Sequence, residues 1–172
     1  MARNIFFSME KAPNTQSESE KPKIGKQVVK LEAELDTKKE TYKQEMSKLA
    51  ENIRENPTLI SPELARKLVS KYSNSEHGAD LVGAILDSSD KIPGLGKNFQ
   101  ESLYLDKDKM MFVAKFADIS ALEYKYKLAK HPERYVRSAL VFNDSTPDDV
   151  LEIIADSGSD EAASAAERRL NQ

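Results

Sequence analysis

The chain has 172 residues, 32% of them Asp, Glu, Lys or Arg and 39% apolar, with no Cys and no Trp. That length accommodates one core-bearing domain plus an extension, and the missing cysteine excludes disulfides, thiolate catalysis and cysteine-ligated zinc or iron–sulfur centres. The net charge of -3 is unevenly spread: Lys plus Arg against Asp plus Glu runs 11 to 10 over residues 1–57, 13 to 11 over 58–142 and 2 to 8 over 143–172, giving an acidic end and no chain-wide nucleic-acid signature.

Residues 1–23 begin with Ile5-Phe6-Phe7-x-Met9, an apolar run too short for a signal peptide or a membrane span. They continue through Pro13, Thr15-Gln16-Ser17-Glu18-Ser19-Glu20 and Pro22. With so little to bury, chain entropy prevails, and the composition predicts a disordered linker carrying a short peptide. Ile5, Phe6 and Phe7 are candidate partner-binding residues; packing against their own protein explains them equally well. A cytoplasmic location without membrane association is the expectation.

From Ile24 to Asn56 the bulky positions Ile24, Val28, Leu31, Leu35, Tyr42, Met46, Leu49 and Ile53 recur at the spacing of one helix face. With Lys39 in the gap, they form a heptad seam broken by one four-residue stutter. The pattern predicts a long helix over 24–56, either a coiled-coil arm making a homo-oligomer or a helix laid against the rest of its own chain. Asn56-Pro57 ends it, because the residue before a proline is driven out of the helical region.

Residues 58–172 read as a succession of short helices. Ser61-Pro62-Glu63 combines an N-cap, a proline at the first helical position and an acid in the first turn; Thr146-Pro147-Asp148 repeats the same signal. Leu128-Ala129 and Ile154-Ala155 close two helices 26 residues apart, and each is followed by a small-residue helix, Val136-Arg137-Ser138-Ala139-Leu140 or Ala162-Ala163-Ser164-Ala165-Ala166. The same step backward from Val136 and Ala139 reaches Met110 and Val113 in the amphipathic run Met110–Phe116, so a period of that length is present. The string Leu128-Ala129-x-His131-Pro132, Val136-Arg137-x-Ala139-Leu140, Asn143, Thr146-Pro147, Leu151, Ile154-Ala155 resembles the leucine-rich-repeat variant and HEAT-like helical repeats of bacterial proteins. The resemblance is carried by residues 107–172 and extends more loosely over 58–172. It implies an all-α chain with an α-α superhelical domain and a curved surface for a partner, and it says nothing specific about function.

Three local patterns suggest chemistry and are better explained by structure. Gly94-Leu95-Gly96-Lys97 lacks the spacing, the Ser or Thr and the preceding strand of a phosphate loop and reads as an interhelix turn. Asp156-Ser157-Gly158-Ser159-Asp160 with Glu167 places Glu161 where a calcium loop needs Gly, so Asp160 is expected to cap a helix. His77 and His131, each followed by a helix breaker, have no recognisable nucleophile or orienting partner. No catalytic residue, metal site or cofactor is expected.

The remaining feature with a physical direction is the basic turn. Lys125, Lys127, Lys130, Arg134 and Arg137 surround it with Tyr124, Tyr126 and Tyr135 interleaved, a mixture able to meet phosphates and stack on bases. The plainer expectation is a solvated rim, with the tyrosines in the core and Arg137 paired to Glu133. The chain thus reads as a non-enzymatic protein-interaction adaptor, with Lys125, Lys127, Lys130, Arg134, Tyr135 and Arg137 as candidate contacts. The alternative is a nucleic-acid-binding repeat module using residues 124–137.

Overall fold

The computed structural model describes residues 21–158 and 160–172, with side chains from residue 37 onward. Ile5, Phe6 and Phe7 lie outside the described residues, as do the side chains of Ile24, Val28, Leu31 and Leu35. The described residues form helices and turns with no strand, and none of their helices is long and apolar enough to cross a membrane. Two units are distinguished, residues 1–39 and 40–172. In the first, the backbone from Lys21 is helical and belongs to α1 (Lys21–Glu55).

The second unit opens with the remainder of α1. Ala50 and Ile53 are buried, and Met46 and Leu49 pack against the same core, so from Met46 onward the apolar seam is covered by its own unit. A buried apolar stripe is where a surface helix gains most of its stability. Next comes α2 (Pro62–Tyr72), where Ser61 Oγ accepts the Leu64 amide at 3.2 Å with proline in the first turn. α3 (Ala79–Asp87) is buried at every residue except Asp80, which is half-buried, as a predominantly apolar helix must be.

Six further helices follow in three pairs. α4 (Lys97–Leu105) pairs with α5 (Lys107–Phe116), α6 (Lys125–Ala129) with α7 (Arg134–Val141), and α8 (Asp148–Asp156) with α9 (Glu161–Leu170). α3, α5, α7 and α9 pack successively in one row, and α6 and α8 lie side by side in a second. The 26-residue step is visible in this packing: Met110, Val136 and Ala162 are all buried, as are Ala114, Leu140 and Ala166. Row neighbours are also tied by hydrogen bonds at helix ends, where carbonyls have no intrahelical donor. Asn143 Nδ2 donates to Ala114 O at 3.0 Å and Ala117 O at 2.8 Å; 26 residues on, Arg169 Nη1 donates to Val141 O at 2.6 Å and Asn143 O at 2.7 Å.

The second proline signal works differently from the first. Thr146 does not cap α8: its hydroxyl donates to Leu140 O at 2.7 Å, and α8 starts at Asp148 with Pro147 before it. Thr146 is buried, and its hydroxyl joins the Asn143 amide on the Leu140 carbonyl at the end of α7, whereas the exposed Ser61 caps its own helix.

Candidate functional site

Asp87 fixes the start of α6. Its carboxylate, buried at the end of α3, accepts the amides of Glu123 at 3.1 Å and Tyr124 at 2.9 Å, with Arg54 Nε 3.9 Å away. Burial pushes its pKa up, and the two amides and Arg54 oppose that rise. α4 is held by Gln100 Nε2, which donates to Leu86 O at 3.1 Å, and is joined to α6 by Tyr104, whose hydroxyl donates to Lys127 O at 3.1 Å. Before α4 the chain turns through Gly94 and Gly96, both at positive φ (76° and 79°), a backbone region that side chains disfavour.

His131 locks the same junction from below. It is fully buried; Nε2 lies 2.8 Å from Tyr104 O, Nδ1 accepts the Glu133 amide at 3.1 Å, and its ring meets that of Tyr104 edge-on at 4.7 Å. The neutral tautomer with its proton on Nε2 satisfies both contacts. Both nitrogens are thereby committed to backbone groups. His77 is half-buried with its ring edge-on to Tyr42 at 5.9 Å.

The six residues singled out around the basic turn do not act together. Arg137 turns inward, donating to His131 O, to Pro132 O at 3.0 Å and to the Asp160 carboxylate. Its expected pairing with Glu133 is therefore replaced by one with Asp160, brought into reach by the packing of α7 on α9. Arg134 donates to the Tyr135 hydroxyl at 3.0 Å. Lys125 donates to Ser120 O at 2.9 Å, and Tyr126 donates to Asp149 Oδ2 at 2.8 Å. Tyr126 and Tyr135 are exposed rather than in the core, and Tyr124 is half-buried.

Lys127 and Lys130 instead face α4. Together with Lys97, Gln100, Glu101, Tyr104 and Tyr124 they line a groove of about 410 Å³. Lys127 Nζ donates to the Tyr124 hydroxyl at 3.0 Å and sits 4.6 Å from the centre of its ring; that hydroxyl holds the ammonium pKa above the ordinary lysine value. Burial raises the pKa of Tyr104. From the sequence, Lys97 was set aside with the interhelix turn, and Tyr104 was not singled out. The available signal was the spacing of Lys97, Gln100, Glu101 and Tyr104, which places them on one helix face.

The chain matches no protein-family model, no curated protein and no solved structure.

Asp160 supplies a test of the Arg137 clamp. It caps α9 by accepting the Ala163 amide at 3.0 Å, and that bond, then Arg137, hold its carboxyl below the usual carboxylate range. A folded pKa below the unfolded one contributes stability that is present above the unfolded value and is lost as pH falls through the folded one. Asp160→Asn retains a capping oxygen and loses the charge. It is expected to cost about 1 kcal/mol at neutral pH after solvent screening, with the difference from the parent closing below about pH 4. Urea midpoints at neutral pH and about pH 3 check this.

Proposed function

We propose that the chain is a non-enzymatic protein-interaction adaptor whose second unit is a short helical repeat of the leucine-rich-repeat-variant or HEAT-like kind. The observation that carries this reading is the paired-row packing of α3 through α9 with its 26-residue register of buried positions. Such stacks cover one row of helices with the other and leave a broad outer surface for a partner. Around the basic turn, His131, Arg137, Asp160 and Asp87 bond to the chain's own backbone and to one another, which supports a role for them in holding helices in register. Self-association through residues 24–56 is on this reading confined to the part before Met46, because the later seam positions serve the core of their own unit.

Nucleic-acid binding is the second reading, favoured by the three lysines at the α4–α6 groove. Affinity capture of partners from the native host, with and without nuclease, separates the two. A protein captured reproducibly after nuclease treatment, and lost on substituting exposed residues of α4, α6 or α8, is the expected result. Capture that disappears with nuclease would replace the adaptor reading by the nucleic-acid one.

A further inference from the structure

The groove between α4 and α6 leaves positive charge uncompensated in a chain of net charge -3. Lys97 and Lys130 are exposed and have no hydrogen-bond or ion-pair partner among the described residues. The third ammonium, Lys127, donates to the Tyr124 hydroxyl, whose own proton has no acceptor there. Glu101 is the one carboxylate among the lining residues, so the groove offers three cations against one anion and a free hydroxyl donor. Fixed charge of one sign in a cleft concentrates ligands of the other sign.

Two observations select among anionic ligands. The ring of Tyr104 is packed edge-on against Tyr124 at 5.7 Å and His131 at 4.7 Å, with its hydroxyl bonded to Lys127 O, so it offers no stacking platform of the kind single-stranded nucleic acids use. Next to α6 along its row lies α8, where exposed Asp148, Glu152 and Asp156 recur every four residues. A phosphate backbone following the row would meet like charge there, whereas a short ligand ends before it.

We propose that this groove receives a short acidic segment of a partner protein, its carboxylates accepting from Lys97, Lys127, Lys130 and the Tyr124 hydroxyl. The assignment rests on the adaptor reading and names the chemistry of the partner. The test is fluorescence anisotropy on the full chain with a labelled short poly-glutamate peptide, using poly-glutamine of the same length and oligothymidylate as comparisons. The expected result is binding of poly-glutamate alone, weakening several-fold between about 50 and 200 mM salt as screening shortens. Lys97→Glu with Lys130→Glu reduces affinity about ten-fold or more with unchanged thermal melting, and Lys67→Glu on α2 leaves it intact. Equal peptide binding by the groove variant overturns the assignment, as does preferential binding of oligothymidylate. So does a salt-sensitive dimer of the parent that the groove variant abolishes, because the occupant is then the acidic α8 of a second copy. If poly-glutamate is not bound but a partner is still captured from the host, the groove assignment falls and the adaptor reading stands; if neither binds, both fall.

Discussion

Gly78→Ala is expected to destabilise the chain by about 3 kcal/mol or more, although the residue adopts an ordinary backbone conformation, φ -95° and ψ -5°. The cause is close approach. A Cβ at this position would stand 2.5 Å from Tyr72 Cβ and 2.6 Å from Tyr72 O, and a backbone carbonyl at the end of α2 cannot swing aside as a side-chain tip does. Relief requires α2 and α3 to separate, and α3 is buried at every residue but Asp80, so displacement spreads into a close-packed interior. Equilibrium urea unfolding would show a lower midpoint at unchanged slope. A midpoint within error of the parent would mean that the α2–α3 corner relaxes freely.

Asn143→Leu is expected to cost about 4 kcal/mol, close in volume though it is. The Asn143 side chain uses its full hydrogen-bonding capacity: Nδ2 donates to Ala114 O and Ala117 O, while Oδ1 accepts the Ser145 amide at 2.9 Å and its hydroxyl at 2.7 Å. Leucine leaves the Ala114 carbonyl and the Ser145 amide unpaired, while Ala117 O keeps the Ser145 hydroxyl at 3.2 Å, and each unpaired group costs about 1–3 kcal/mol. The loss falls between α5 and α7, so amide hydrogen exchange should show the unit opening there first. Uniform exchange across all helices would deny Asn143 this role as a tie between α5 and α7.

These positions mark how far the sequence could be read. The all-helical class, the stop at Asn56-Pro57, the cap at Ser61 and the 26-residue recurrence of Met110, Val136 and Ala162 are written in local spacing, because helix periodicity and capping involve groups within a few residues of one another. Thr146-Pro147 shows where local reading ends. It carries the same start signal as Ser61-Pro62, yet its hydroxyl serves the previous helix, because packing buries it beside the Leu140 carbonyl at the end of α7.

The candidate site was legible only in part, for the same reason. Lys127 and Lys130 were identified from the local basic excess. Their groove needs Lys97 and Tyr104, more than twenty residues earlier, and Arg137 is withdrawn from it by Asp160, 23 residues later. Gly78 likewise looked like a helix breaker beside a histidine, and only the approach of Tyr72 makes it a requirement of packing. Sequence alone thus determined the helical class and several helix boundaries. The tertiary structure decided which polar groups are consumed by the fold and which remain for a partner, since that depends on the acceptors that packing brings within about 3 Å, and separation along the chain does not encode it.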